Sequence, residues 1–130
     1  MFKFSQRSID RMAAIHPDLR RVADRAIQIT LVDFGIPEFG GRRTADEQRS
    51  LFDKDLSKAD GTEKLSFHQT GDALDFYAID PATGKASWDG YLMTHVAAAF
   101  LQAAAELYVR LEWGGFWHSF KDMPHIQRRV

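Results

Sequence analysis

The segment SFHQTGDALD at residues 66–75 places an imidazole, a glycine and a carboxylate in one short run. Residues 72–79 alternate as a strand, with Ala73, Asp75, Tyr77 and Ile79 on one face and Leu74, Phe76 and Ala78 on the other. A carboxylate on such a face is costly unless it meets a cation, an arginine or water. Fully extended chain would part His68 from Asp75 by roughly 23 Å. Both can address one point only if the chain turns between them, and Gly71 is the residue best able to allow the turn. From this segment alone a divalent metal, an arginine partner and plain solvent all stay open for Asp75.

A second pair changes the balance. Asp122 and His125 lie three apart in DMPH, and Pro124 discourages a helix, so the pair belongs where a loop enters a strand. The chain has no cysteine, so any metal site must draw on His, Asp or Glu. Two histidines and one aspartate would give zinc three protein ligands and leave the fourth position for water, the pattern of a catalytic site. The remaining acid would then act as a base. His16, before Pro17, and His95, inside a helical pattern, read as structural or surface residues. His118 belongs to an aromatic loop and is a substrate-binding candidate.

At 130 residues, 45% of them hydrophobic, the chain suffices for one core, so a single domain over 1–130 is expected. Seventeen Lys and Arg against eighteen Asp and Glu give no electrostatic reason to expect nucleic acid or an anionic membrane as partner. No apolar run approaches the roughly 20 residues of a membrane span. The first seven residues, MFKFSQR, turn polar too early for a signal peptide.

The pattern predicts a helix from Ser8, with Ser8 as its N-cap, and a second from Pro17 burying Leu19, Val22, Ala23, Ala26, Ile29 and Thr30. A short strand is expected over residues 37–42. Thr44 and Glu47 have capping-box spacing before a helix that reaches Asp53 and buries Leu51 and Phe52. Residues 54–65 read as an exposed loop. One strand over 72–79, a hairpin turn over 80–85 and a long helix over 89–108 follow, the helix covering a sheet with Tyr91, Val96, Ala99, Phe100, Ala103, Ala104 and Leu107. A strand at 109–113, an aromatic loop over 116–124 and a closing strand from His125 complete an α+β chain: a small antiparallel sheet packed with helices, and a zinc site in a cleft on it.

Taken together, Ser66-x-His68-x-x-Gly71-x-Ala73-x-Asp75, Trp113-Gly114-Gly115 and Asp122-x-Pro124-His125 resemble the VanY-like zinc peptidases that cut peptidoglycan stem peptides. That family includes D-alanyl-D-alanine carboxypeptidases and phage endolysins that are L-alanyl-D-glutamate peptidases. Gly41-Arg42-Arg43-Thr44 with Gln48 resembles the family's upstream Gly-Tyr-Arg-Ser/Thr…Gln segment, and the likeness spans residues 35–126. The resemblance implies His68, Asp75 and His125 as ligands of Zn2+, Asp122 as general base, and Arg43 as the group holding the substrate carbonyl or its oxyanion. Arg42 stands where an aromatic is usual, which leaves the choice between Arg42 and Arg43 open. Ser66 resembles a residue lining the site; Trp113 and Trp117 are cleft walls or core aromatics. The implied partner is the peptidoglycan stem peptide. The expected protein is a monomeric phage endolysin without stable membrane association, made in the host cytoplasm and released to the cell wall. A D-alanyl-D-alanine carboxypeptidase, or a wall-binding domain that keeps zinc without catalysis, are the alternatives.

Overall fold

The computed structural model describes residues 1–62, 66–119 and 121–129. Among them the chain runs α1 (Gln6–Arg11), α2 (Pro17–Ile29), β1 (Phe34–Gly35), α3 (Ala45–Asp53), β2 (Ala73–Asp75), β3 (Tyr77–Ile79), β4 (Ala86–Ser87), α4 (Gly90–Leu107), β5 (Leu111–Trp113), a 3-10 turn (Gly114–Phe116) and β6 (His125–Arg128). The class is α+β, with two three-stranded antiparallel sheets, ordered β1-β3-β4 and β2-β6-β5, where one sheet was expected.

Helices α2 and α4 pack together through Leu19, Val22, Ala23, Ala26 and Ile27 on one and Met93, Val96, Ala97, Phe100 and Ala103 on the other. The alanines keep the two backbones close, and the larger side chains fill the space against the sheets. Phe100 of α4 meets Phe34 and Phe76 at ring-centroid distances of 5.2 and 5.4 Å, which joins the helix layer to β1 and to the crossover between β2 and β3. Asp89 caps α4 by accepting from the Leu92 N–H, as Thr44 and Glu47 cap α3 in a reciprocal box.

The expected strand over 72–79 is divided at Phe76. There the backbone leaves one sheet for the other, and the Phe76 N–H donates to the Pro124 carbonyl at 2.9 Å. Leu74, Phe76 and Ala78 still point into the core, so the alternation survives the division. Residues 37–42 do not form a strand. Pro37 lacks a donor, and residues 37–40 turn, with the Gly40 N–H donating to the Pro37 carbonyl at 3.0 Å.

Other local readings shift for equally physical reasons. Ser5, in extended backbone, caps α1, while Ser8 turns inward and accepts from the Ile36 N–H at 3.0 Å. His16 caps α2 by accepting from the Asp18 N–H. Ile27 takes the buried place expected of Ile29. α3 buries Gln48 rather than Leu51 and Phe52, because its inner face meets a polar network. Tyr91 is 73% exposed and does not cover a sheet. Of the expected 54–65 loop, residues 54–62 are described: most are exposed or half-buried, but Ala59 and Gly61 are buried. Residues 63–65 lie outside the described residues.

One ion pair ties the start of β2 to the end of β6. Asp72 Oδ1 accepts from Arg128 Nε at 3.0 Å and lies 2.9 Å from Arg128 Nη2, and Thr70 Oγ1 donates to Asp72 Oδ2 at 2.6 Å. Burial alone would raise the Asp72 carboxyl, but the Thr70 and Arg128 hydrogen bonds and the Arg128 charge prevail and lower it. A lowered folded-state value stabilises the fold above the unfolded aspartate range, and the contribution fades as pH falls through the folded value. Asp72→Asn is therefore expected to cost about 1–2 kcal/mol at pH 7 in urea denaturation. The gap from wild type should narrow below about pH 4; a gap independent of pH would show that charge is not the cause.

Candidate active site

Antiparallel pairing sets Asp75 of β2 directly opposite His125 of β6. Facing residues in such a pair have Cβ atoms about 4.5–5.5 Å apart, so short side chains on the same face can converge. His68 comes from the turn before β2. Gly71 makes that turn at φ +80°, a conformation that L side chains rarely adopt. Its N–H donates to the His68 carbonyl, and its own carbonyl accepts from the His16 N–H.

His68 Nε2 and His125 Nδ1 each lie 3.3 Å from Asp75 Oδ1. The three ligand atoms all fall within 4.8 Å of one another, so this cluster could bind a metal ion. Asp75 Oδ1 is fully buried yet has no hydrogen-bond partner, the one such side-chain atom among the described residues. Both imidazole nitrogens are near it, but neither is aligned to donate; the three atoms aim at a common centre. A tetrahedral ion with ligands at about 2.0–2.2 Å has ligand-to-ligand edges of about 3.4 Å, so the donor set fits.

The other end of each group is fixed. His68 Nδ1 lies 3.0 Å from the Gly41 carbonyl, which can only accept, so the proton sits there and Nε2 faces the centre. His125 Nε2 meets Gln127 Oε1 at 2.8 Å, which leaves Nδ1 facing inward. Asp75 Oδ2 accepts from Arg43 Nη2 at 3.1 Å. Arg43 is held in turn by the Phe39 carbonyl on Nε and by Gln48 Oε1 on Nη1. Gln48 is buried and donates to Ser57 Oγ and the Ala59 carbonyl. Such outer partners fix tautomer and orientation in metal sites.

Asp122 stands at the edge of the cluster, its Oδ2 3.9 Å from His125 Nδ1. Gly114 lies so close beneath it that a Cβ would collide with the Asp122 carbonyl, and the Asp122 N–H donates to the Gly114 carbonyl at 3.0 Å. Burial and then the charge of Asp75 push the Asp122 carboxyl up. Asp75 moves the other way. Burial alone would raise it, but the neighbouring His68 and His125 imidazoles hold it well below the carboxylate range. Burial alone would lower His125, yet Asp75, Gln127 and Asp122 together raise it. Arg43 is lowered by burial, against the opposing charges of Asp75, Asp122 and Glu47. Two neighbouring carboxylates with opposite shifts are the arrangement in which one holds charge and the other exchanges a proton.

His68, Asp75, His125, Asp122 and Arg43 all line one cavity of about 420 Å³. Arg42 points elsewhere, donating to the Gln69 carbonyl on the exposed side of the turn. Ser66 acts through the backbone, its Oγ accepting from the His68 N–H at 3.2 Å. Trp113 is buried, and its indole N–H is spent on the Met123 carbonyl at 2.7 Å, which secures the turn preceding β6. Trp117 packs its ring 5.2 Å from that of His125. His118 is exposed in the loop and is not among the residues lining the cavity.

Sequence reasoning missed three participants. Gln127 follows His125 by two on a strand, the spacing that puts both on one face, and that signal was available. Phe39 and Trp88 also line the cavity, and nothing in their sequence surroundings marks them.

A fold and a site of this kind define a candidate metal centre, with a second carboxylate beside it, built on an α+β scaffold. The family model for phage L-alanyl-D-glutamate peptidases matches residues 1–130, and the chain belongs to that family. It is 35% identical over 127 residues to the L-alanyl-D-glutamate peptidase of Escherichia phage T5, covering 93% of this chain and 85% of that protein. The crystal structure of the Serratia marcescens L-Ala D-Glu endopeptidase ChiX superposes with a TM-score of 0.84 at 35% identity, covering 98% of this chain and 90% of that one.

Gln127→Ala frees His125 to rotate. Its expected effect is a loss of about 10- to 100-fold in divalent-metal affinity, read by chelator competition, with an unchanged melting temperature of the metal-free protein. Unaltered affinity would mean that the strand alone orients His125.

Proposed function

We propose that this chain hydrolyses the L-alanyl-D-glutamate bond of peptidoglycan stem peptides with a zinc ion held by His68, Asp75 and His125. The observation that carries the reading is the buried, unpartnered Asp75 Oδ1, set 3.3 Å from two imidazole nitrogens and beside a second carboxylate of raised pKa. His, His and Asp with room for a fourth ligand suit zinc in its catalytic form. A zinc ion there supplies a Lewis acid that polarises the scissile carbonyl and acidifies the attacking water.

The protein's own groups do the rest. Asp122 Oδ2 accepts the proton of the attacking water as its oxygen bonds to the alanyl carbon. The same oxygen returns the proton to the glutamyl nitrogen as the C–N bond breaks, leaving an alanyl carboxylate and a free amine. A carboxyl pushed up by burial and by Asp75 is better matched to both transfers near neutral pH than an ordinary aspartate. Arg43 fixes Asp75 and offers its remaining N–H groups to the developing oxyanion. Its lining position supports this role, and the outward course of Arg42 argues for Arg43 as the site arginine. The names of the relatives favour this bond over the terminal D-alanine.

In this reading the substrate partner is murein, the protein works as a monomer, and it reaches the wall after release from the host cytoplasm. No helix among the described residues is long and apolar enough to cross a membrane.

Asp122→Asn should lower the rate of murein hydrolysis by about 10²- to 10⁴-fold, followed by turbidity of outer-membrane-stripped cells, while zinc content stays at one per chain. His68→Ala should lose both zinc and activity, and a chelator should abolish wild-type lysis until zinc is restored. Full activity in a purified Asp122→Asn protein would remove the base assignment. Mass spectrometry of the digested murein would expose a different bond by its new termini.

A further inference from the structure

Trp88 is the largest exposed side chain lining the active-site cavity, with 56% of its surface open. It sits in the two-residue link between β4 and α4, and both ends of that link are fixed. The Asp89 N–H donates to Ser87 Oγ at 3.2 Å, and the Asp89 carboxylate caps α4. Tyr77 supports the indole, ring centroids 6.0 Å apart at 52°. The result is a flat apolar surface held in place and turned to solvent at the cavity.

The substrate proposed above is chemically uneven about its scissile bond. On one side lies D-glutamate with a free carboxylate. On the other lies a single alanine and then the lactyl group of an uncharged N-acetylated sugar. The alanine and the lactyl group together span only about 7 Å of extended chain, so the sugar ring must sit at or beside the cavity whenever the bond is in place. The lining is uneven in the same sense. Its cationic side chains, Arg43 and Lys58, come from the segment that carries α3 and the loop after it, and its carboxylates are Glu38, Asp75, which pairs with Arg43, and Asp122. Trp88 comes from a separate element. A carboxylate suits a cation of the lining, and the apolar C–H face of a pyranose suits the Trp88 indole.

Resting on the proposed peptidase activity, we propose that Trp88 is a binding platform for the muramyl sugar that carries the stem peptide, and so a determinant of preference for glycan-linked over free peptide. Phe39, the other exposed aromatic of the lining, holds Arg43 through its backbone carbonyl.

The test compares two substrates that differ only in the sugar: N-acetylmuramyl–L-Ala–D-Glu and N-acetyl–L-Ala–D-Glu. Wild-type protein is expected to favour the muramyl substrate in kcat/KM. Trp88→Ala should lower that preference about fivefold to tenfold through KM, and Trp88→Phe should restore part of it. A preference that Trp88→Ala leaves unchanged overturns the assignment, whether or not both rates fall together. A wild type that hydrolyses both substrates equally overturns it as well. A wild type that cleaves neither, nor murein itself, overturns the peptidase reading and this proposal with it. Thermal melting of both variants near the wild-type temperature establishes that the comparison is between folded proteins.

Discussion

The Asp75 carboxylate is the group on which the site depends. One oxygen is turned to Arg43 and the other to the space between two imidazoles. A buried charge of this kind is tolerable only where opposite charge and donors surround it. Each of its partners arrives from a different part of the chain. Strand pairing brings His125, the turn at Gly71 brings His68, and the segment leading into α3 brings Arg43. A slip of one residue between β2 and β6 would turn either Asp75 or His125 to the opposite face. The hydrophobic set fixes the register against this, because Leu74 of β2 and Ile126 of β6 face each other in the core.

The same logic separates what was legible in the sequence from what was not. His68, Asp75, Asp122 and His125 could be found because each is a costly residue in a patterned place: a carboxylate in a strand, a histidine before a glycine turn, an acid and an imidazole at a strand entrance. The capping box at Thr44 and the long helix at 90–107 were legible because their signals are local. The division of the strand at Phe76 was not, since alternation continues through it; only the Pro124 carbonyl, 48 residues onward, shows where the chain changes sheets. α3 was misread on its inner face because Gln48, a residue more often exposed, is buried to hold Arg43 and the 57–59 loop.

Placement of Asp122 is a separate problem from placement of the three converging groups. It lies in no strand, and its carboxylate must stay near Asp75 although the two repel. Close packing solves this. Gly114 admits the Asp122 backbone where a side chain would bar it, and Trp113 holds the Met123 carbonyl through its indole nitrogen. The Trp113-Gly114-Gly115 segment thus serves the site from behind, through the backbone it fixes. Its value to chemistry would be lost if Trp113 were read as a cleft wall.

Repulsion between Asp75 and Asp122 also explains why their roles diverge. Asp75 is surrounded by His68, His125 and Arg43, so its charge is the better compensated and persists. Asp122 is raised first by burial and then by the charge of Asp75, which outweigh His125, His68 and Arg43, so its proton is held more tightly. In the proposed mechanism, identical side chains are thereby divided by position alone into a charged ligand and a proton carrier. Exchanging their surroundings would exchange their roles. The order of the two in the sequence carries no information about this; what decides it is that Asp75 lies across from His125 on a paired strand, while Asp122 lies one turn outside the pairing.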